Sequence, residues 1–335
     1  MEPIVFFEIE KWEIEHIQKI DPQIQAVFTD EKAHDGKDES LFKSTIISTF
    51  IYSELNQETL DKFPNLKFIA TRSTGYDHID LDYCKQKGIT VVNVPSYGAH
   101  AVAEHTFALI LALSRNLIPT IEHSRRGDFS LEGLRGFDLA GKTIGVVGVG
   151  KIGSKVVKLA LSFEMNVMVF TKSQQANTFS PENVKYVSFD ELISNSDIIT
   201  LHIPLTAETE HLINKDNIKK FKKGSILINT ARGPLVETQA ILDGLELGIL
   251  KSVGLDVLEE ECSLKEEREL LSDEFLKKCD IKTQLLNHVL LNRNEVLYTN
   301  HNAFNSNEAV GQILDVTIEN IRSYLAGDVQ NKVDA

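Results

Sequence analysis

Residues 142–163 read KTIGVVGVGKIGSKVVKLALSF, and this stretch decides the fold. The apolar run TIGVVGV is typical of a buried strand, and KIGSKVVKLAL has the spacing of an amphipathic helix. Between them Gly148, Gly150 and Gly153 stand in G-x-G-x-x-G register. The first glycine permits a tight turn, the second lets the backbone approach a pyrophosphate, and the third lets helix and strand pack closely. The stretch therefore predicts a dinucleotide site at a helix N-terminus.

The turn after the next strand is unusual for such a site. About 20 residues past the glycines, an acidic residue normally accepts hydrogen bonds from the ribose of NAD. Here the strand MNVMVF (165–170) is followed by Thr171, Lys172 and Ser173. No carboxylate repels a 2′-phosphate there, and a lysine and hydroxyls suit one. The turn therefore favours NADP, and NAD remains the alternative if Lys172 is only a solvated lysine.

Short apolar runs alternate with amphipathic stretches along most of the chain. The predicted strands lie at 4–9, 26–30, 45–53, 66–73, 90–94, 143–149, 165–170, 197–205, 224–231, 252–257 and 296–300. The predicted helices include 99–117, 151–163, 215–222, 237–247 and 306–327. This alternation predicts mostly parallel sheets with helices on both faces. Residues 262–294 break the rhythm, so we expect an inserted surface segment there, whose role is open.

Length, charge and cysteine content limit the class of protein. A chain of 335 residues usually has more than one hydrophobic core, so two domains are expected. The formal net charge of −14 argues against nucleic acid as a partner, and no apolar run approaches the roughly 20 residues of a membrane helix. Three cysteines without a CxxC pair predict a reducing compartment and no metal site. Without a signal-peptide pattern at its start, the chain is expected to be cytoplasmic.

Three polar motifs follow strands of the second series. Arg232 lies in NTARGPLV, Asp256 and Glu259–Glu261 lie in GLDVLEEE, and His301 lies in LYTNHNAF. Because open α/β sheets build ligand sites at the carboxyl ends of strands, these groups are expected to meet beside a nicotinamide. A guanidinium can bind the carboxylate of a 2-oxo acid, and an imidazole can exchange a proton with its C2 oxygen. A carboxylate beside the imidazole fixes its tautomer and raises its pKa. Each residue alone also fits a structural role.

In the order of its motifs the chain resembles the D-isomer-specific 2-hydroxyacid dehydrogenases, with the D-lactate dehydrogenase branch the most similar. The motifs span nearly the whole chain and are RSTGYDHID, AEHTFALIL, GVGKIG, LHIPLTAETEHLIN, NTARGPLV, GLDVLEEE and NHNAF. The resemblance implies two Rossmann-like, doubly wound parallel-sheet α/β domains. A flavodoxin-like substrate domain would comprise residues 1–100 and 303–335, and a dinucleotide-binding domain would comprise residues 101–302. The substrate would bind in a cleft between the domains, and the helix at 99–117 would form a homodimer contact.

The resemblance also implies roles for individual residues. Arg232 would bind the substrate, His301 would be the acid/base and Glu261 its partner, although Cys262 and Asn300 replace prolines that the family usually has. The implied substrate-binding residues are Ser73, Thr74, Gly75, Tyr97, Tyr52 and Phe304. The implied cofactor-binding residues are Gly148, Gly150, Lys151, Ile152, Gly153, Thr171, Lys172, Ser173, Ile203, Pro204, Thr209, Thr230, Ala231 and Asp256. Asp256 would hold the nicotinamide amide.

The activity implied by the resemblance is hydride transfer between NAD or NADP and a small 2-oxo acid. Pyruvate, with D-lactate as product, is the first candidate. One alternative is a glyoxylate or hydroxypyruvate reductase of the same family. The other is a non-catalytic, dinucleotide-sensing protein related to corepressors, against which the complete Arg–Glu–His set argues.

Overall fold

The computed structural model describes residues 3–95, 97–172, 179–180, 183–260 and 280–333. The chain divides into two compact units, Met1–Gly98 with Asn305–Ala335, and Ala99–Phe304. Each unit has its own β-sheet. Ser173 and Glu261, two residues of the predicted site, lie outside the described residues.

The secondary structure alternates between short strands and helices, as the apolar pattern predicts. The strands are β1 (Ile4–Phe6), β2 (Ala26–Phe28), β3 (Ile46–Thr49), β4 (Phe68–Thr71), β5 (Thr90–Val92), β6 (Thr143–Val147), β7 (Asn166–Phe170), β8 (Val184–Tyr186), β9 (Ile198–Leu201), β10 (Ser225–Asn229), β11 (Leu250–Leu255) and β12 (Val296–Tyr298). The helices are α1 (Lys11–Ile20), α2 (Gln57–Asp61), α3 (Leu81–Lys87), α4 (Ala99–Ser114), α5 (Leu117–Arg125), α6 (Gly153–Ser162), α7 (Phe189–Asn195), α8 (Thr238–Glu246), α9 (Ile281–Leu291) and α10 (Asn307–Leu325).

The first unit is built on a five-stranded sheet in the order β2-β1-β3-β4-β5. All of its strand pairs are parallel. Strands β1, β3 and β4 are buried along their whole length, because helices cover both faces of a parallel sheet. This strand order is that of flavodoxin-like folds.

The second unit is built on a seven-stranded parallel sheet in the order β12-β11-β10-β9-β6-β7-β8. The chain runs outward from β6 through β7 and β8, then crosses back to β9 on the other side. Doubly wound sheets bind ligands at such a reversal, beyond the carboxyl ends of the strands. The two sheets confirm the predicted fold class.

One predicted helix is wrong. Residues 215–222 contain only a short 3₁₀ turn, Ile218–Lys220. The side chain of Asn214 accepts hydrogen bonds from the backbone N–H groups of Asp216 and Asn217. Such local side-chain bonds compete with helical hydrogen bonding, so the chain turns instead of continuing as a helix.

The helix predicted at 99–117 is shorter than expected. It ends at Ser114, and Asn116 has a left-handed φ of +48° before α5 begins. The backbone of Gly136 lies against the carbonyl oxygen of Ser114, so close that a Cβ would overlap it. Among the described residues, no single helix has the length and apolarity to cross a membrane, and α4 and α5 meet that test only as a pair bent by 61°.

The expected surface insert at 262–294 is described from residue 280 onward. There α9 packs on α8 and on β12, and Leu290 is fully buried in the hydrophobic core of the second unit. This helix is therefore part of the packed unit, and its outer side, with Ile281, Leu285 and Val289, is exposed.

Candidate active site

The glycine motif lies where β6 leads into α6. Gly148 has a φ of +92°, which favours glycine, and a Cβ there would lie 2.6 Å from the carbonyl oxygen of His202. A Cβ on Gly153 would overlap the carbonyl oxygen of Gly148, whereas one on Gly150 would face open space. The turn therefore requires glycine for packing and leaves its backbone accessible at Gly150, as a pyrophosphate at the start of a helix needs. The other predicted residues of this turn, Lys151 and Ile152, directly precede α6.

The turn after β7 carries an ion pair. Thr171 is half-buried and Lys172 is exposed. The Nζ of Lys172 lies 2.8 Å from Oε2 of Glu208, and this hydrogen bond lowers the pKa of Glu208 below its usual range. Glu208 belongs to the loop after β9, and β7 and β9 are the two neighbours of β6. The ion pair therefore joins loops on both sides of the strand that leads to the glycine turn.

The loop after β9 contains three predicted cofactor residues, Ile203, Pro204 and Thr209. The Cγ2 atom of Ile203 would lie 2.6 Å from a Cβ on Gly148, so this side chain packs directly on the glycine turn. The hydroxyl of Thr209 donates to the carbonyl oxygen of Pro204 at 2.8 Å and accepts from the N–H of Thr206 at 2.8 Å. These two hydrogen bonds tie Thr209 to Pro204 and Thr206 and thereby stabilise the turn of the loop.

Arg232 lies in the turn after β10 and is half-buried. The amide of Asn229 closes this turn, because it donates to the carbonyl oxygen of Arg232 at 2.8 Å and accepts from the N–H of Ala231 at 3.0 Å. The hydroxyl of Thr230 lies 3.0 Å from that of Thr106 in α4. Hydrogen bonds from both flanks therefore fix the backbone of this turn.

The turn with Arg232 lies directly against the loop after β11. A Cβ on Gly233 would overlap the carbonyl oxygen of Leu258 and lie 2.5 Å from the backbone nitrogen of Glu259. Only glycine permits so close an approach. The predicted substrate-binding arginine and the loop that leads to Glu261 are therefore neighbours in the second unit.

Two of the three consecutive glutamates in this loop have partners inside the chain. The carboxylate of Glu259 accepts from the first N–H of α8 at 2.8 Å and lies 2.6 Å from Nε2 of His211. The carboxylate of Glu260 accepts from the N–H of Asp280 at 2.7 Å. Among the described residues, no group of three or more His, Cys, Asp and Glu side chains is arranged to hold a metal.

His301 lies in a loop built around the carboxylate of Asp256, which is 1% exposed. Oδ1 of Asp256 accepts from the hydroxyl of Thr299 at 2.5 Å and from the N–H of Asn302 at 2.9 Å, and Oδ2 accepts from the N–H of Ala303 at 2.9 Å. The N–H of His301 donates to the carbonyl oxygen of Asp256 at 2.7 Å. His301 has a φ of +52°, so one buried carboxylate holds the left-handed turn that presents its imidazole.

Helix α4 supports the same carboxylate. Nε2 of His105 lies 2.9 Å from the hydroxyl of Thr299 and 3.4 Å from Oδ1 of Asp256. Burial favours a raised pKa for Asp256, but hydrogen bonds from His105, Thr299 and the loop backbone outweigh it and lower the pKa below its usual range. Asp256 is therefore ionised at neutral pH, and its predicted contact with a nicotinamide amide stays a prediction. Beside the loop, the ring centroids of Phe304 and His301 are 6.4 Å apart.

The predicted substrate residues of the first unit gather at one edge of its sheet. Ser73–Gly75 follow β4, Tyr52 follows β3 and Tyr97 follows β5, and these strands are neighbours. The Ser73 hydroxyl donates to the carbonyl oxygen of Gly75 at 2.5 Å, and the Thr74 hydroxyl donates to that of Val94 at 2.7 Å. The expected carboxylate-binding backbone is thus fixed by its own side chains.

Sequence reasoning missed the residues that support these loops. Arg72 is 1% exposed, and its guanidinium donates to the carbonyl oxygens of Phe7 and Glu8, both at 2.7 Å. A signal for it was available, since an arginine directly after an apolar strand needs buried partners. The contact of His105 with Asp256 carries no signal in the sequence, because the sequence does not show which distant residues meet.

Comparison with known proteins agrees with this geometry. Residues 107–303 match the sequence model of a family described as "D-isomer specific 2-hydroxyacid dehydrogenase, NAD binding domain". A 2-hydroxyacid dehydrogenase homolog of Haemophilus influenzae is 35% identical over 289 residues, which are 85% of this chain and 84% of that protein. The D-lactate dehydrogenase of Escherichia coli is 35% identical over 266 residues, 78% of this chain and 77% of that protein.

Solved structures give the same result. The crystal structure of D-lactate dehydrogenase from Aquifex aeolicus, complexed with NAD and lactic acid, superposes with a TM-score of 0.83 at 34% identity. The match covers 97% of this chain and 96% of that one. The similarity therefore extends over both units, each of which has a counterpart in that structure.

Proposed function

This chain belongs to the D-isomer-specific 2-hydroxyacid dehydrogenase family and is an NAD-dependent oxidoreductase, and we propose that its substrate is pyruvate, which it reduces to D-lactate. One observation carries the site assignment. The loop with His301, held in a left-handed turn by Asp256, follows a strand of the same sheet whose β6–α6 turn carries the glycine motif. The similarity to D-lactate dehydrogenases supports the choice of substrate.

The proposed reaction needs three functional groups. Arg232 binds the substrate carboxylate with its planar guanidinium. NADH supplies a hydride to C2 when bound, and protonated His301 gives its proton to the C2 oxygen, so that 2-oxo acid, NADH and a proton become 2-hydroxy acid and NAD. Glu261 orients the imidazole and favours its protonated form. In the reverse direction neutral His301 takes the proton back.

Further residues would bind substrate and cofactor. In the first unit, the backbone at Ser73–Gly75 would bind the carboxylate, with Tyr52 and Tyr97 beside it; in the second unit, Phe304 would contact the substrate side chain. The glycine turn and the residues predicted with it would bind the dinucleotide. The position of these residues at the carboxyl edges of their sheets supports the assignment.

We propose that NADPH is accepted as well as NADH. The uncharged Thr171 in place of an acid supports this proposal, as does the neighbouring Lys172. The contact of Lys172 with Glu208 at 2.8 Å weakens the case for a preference, because a carboxylate beside the lysine offsets its attraction for a 2′-phosphate. The preference for NADP favoured by the sequence therefore stays a prediction.

We also propose a homodimer in the cytoplasm. Phe129 and Leu131, just after α5, are 82% and 83% exposed, and apolar side chains so exposed in the single chain suit a protein interface. Cys84 is a buried, free thiol, as expected in a reducing compartment. No nucleic-acid or membrane partner is proposed.

The variant His301→Ala tests the assignment. We expect kcat for pyruvate reduction to fall by roughly 100-fold or more, as loss of general acid catalysis does, while the Kd for NADH, measured by fluorescence, changes little. His288→Ala, on the outer part of α9, is the matched control and should keep normal turnover. Turnover of His301→Ala at the wild-type rate would refute the role of His301.

Kinetics with four substrates test the choice of substrate. We expect the highest kcat/KM with pyruvate among pyruvate, phenylpyruvate, glyoxylate and hydroxypyruvate. A higher kcat/KM with glyoxylate or hydroxypyruvate than with pyruvate would indicate the alternative glyoxylate or hydroxypyruvate reductase. Tight binding of dinucleotide without turnover of any 2-oxo acid would instead indicate a sensor.

A further inference from the structure

Helix α9 faces the loop after β11 with two buried amides. Gln284 and Asn287 are 4% and 1% exposed, and their spacing of three residues places them on one side of the helix. The amide nitrogen of Gln284 donates to the carbonyl oxygen of Glu260 at 2.7 Å, and that of Asn287 donates to the carbonyl oxygen of Glu259 at 2.8 Å. Two successive carbonyl groups of the loop are therefore bound by one helix.

The loop that these amides hold has an unusual backbone. Glu260 has a φ of +49°, a left-handed conformation that few residues other than glycine adopt. Such a conformation persists only where the surroundings impose it, and it is frequent at functional sites. The carbonyl groups of the two peptide units that flank the Cα atom of this strained residue are the ones that α9 binds, so the helix is suited to impose that conformation.

The same cluster is closed from α8. Oδ1 of Asn287 accepts from the hydroxyl of Thr238 at 3.3 Å, and the N–H of Thr238 donates to the carboxylate of Glu259 at 2.8 Å. The carboxylate of Glu259 also lies 2.6 Å from Nε2 of His211. An apolar helix would cover this half-buried loop but leave its carbonyl groups without these partners, which is costly where water is partly excluded.

We propose that Asn287 and Gln284 are positioning residues for the reaction, because they fix the backbone of Glu259–Glu260 from which Glu261 directly continues. Glu261, the proposed partner of His301, is the next residue in the sequence. This inference rests on the proposed function through Glu261. It also assigns a task to α9, the part of the supposed insert that the structure describes.

The variants Asn287→Leu and Gln284→Met test the proposal, since each keeps the side-chain size and removes the hydrogen bond. We expect kcat to fall by about 10-fold or more, because small misplacements of catalytic groups are costly, with the KM and Kd for NADH little changed. In both amide variants, as in Glu261→Gln, the fall of kcat at high pH should begin at a lower pH than in the wild type. The reason is that a weaker contact between the carboxylate and the imidazole favours the neutral imidazole. Asn292→Ala, an exposed asparagine at the end of α9, is the control and should match the wild type.

A second control separates positioning from stability. Leu290→Ala removes a fully buried side chain from the same helix and should lower the melting temperature while leaving the pH profile unchanged. The proposal would be overturned if the pH profile of Leu290→Ala were displaced as in Asn287→Leu. It would also be overturned if both amide variants kept the wild-type kcat. If Glu261→Gln has its defect and the amide variants have none, only the positioning role fails. If Glu261→Gln has the kcat and pH profile of the wild type, both the proposed role of Glu261 and the positioning role fail.

Discussion

At the scale of single residues, the charge at the end of β7 is expected to influence whether NADH or NADPH binds better. Thr171 lacks the carboxylate that would accept the ribose hydroxyls of NAD and repel a 2′-phosphate. Lys172 supplies a cation, but Glu208 lies against it. Both side chains are exposed, so solvent and salt screen the pair. The charges of Lys172 and Glu208 thus nearly cancel, and a change at either residue is expected to shift the preference between NADH and NADPH.

The variant Glu208→Gln should raise kcat/KM with NADPH relative to NADH, because it frees the ammonium of Lys172 for a 2′-phosphate. Thr171→Asp should lower the same ratio, because its carboxylate repels that phosphate. Initial rates with each cofactor at low ionic strength measure the effect. Glu210→Gln, an exposed carboxylate in the same loop, should leave the ratio unchanged. An unchanged ratio in both test variants would refute this account of the turn.

At the scale of elements, the loop between β12 and α10 depends on one carboxylate. Asp256→Asn would turn an amide N–H toward backbone N–H groups that now donate to it. We expect a loss of roughly 1–3 kcal/mol in the free energy of unfolding at pH 7, the usual cost of an unsatisfied buried group, and a large fall in kcat as the loop loosens around His301. Urea unfolding and steady-state rates measure the two effects.

The stability difference should depend on pH. The folded-state pKa of Asp256 is below its usual value. The contribution of its carboxylate to the free energy of unfolding is therefore complete above about pH 4, the unfolded-state pKa, and is lost as the pH falls through the folded-state pKa. The difference between wild type and Asp256→Asn should therefore shrink on acidification. Asp216→Asn, an exposed site, should show neither effect, and a difference that grows toward low pH would contradict the assignment.

The elements also show how far the sequence alone leads. The apolar rhythm predicted the two parallel sheets, since fully buried strands such as Ile226 to Ile228 are apolar runs. It missed β8 and α7, which are short and depend on tertiary packing more than on a periodic pattern. Contacts such as that of His105 with Thr299, 194 residues apart, carry no local signal at all. The motifs thus indicated the polar groups of the candidate site, whose roles stay predictions, but not the residues that hold them.

At the scale of the whole molecule, the exposed apolar surface of the second unit remains to be explained. Leu117, Ile118 and Ile121 of α5 are 47%, 43% and 38% exposed. Phe129 and Leu131 in the following loop are more exposed still. Scattered single apolar side chains are normal on a surface, but a series along one helix and its loop suits burial against another protein. A second copy of this chain is the partner that we propose for this surface.

The double variant Phe129→Ser/Leu131→Ser should therefore weaken the dimer, because removing two large apolar side chains from an interface lowers the driving force for association. Sedimentation equilibrium over a dilution series should give a dimer for the wild type and a monomer for the variant at the same concentration. Leu285→Ser removes a side chain that is 61% exposed on α9, and it should leave the dimer intact. A monomeric wild type, or a double variant that associates as tightly as the wild type, would show that these side chains do not form the interface.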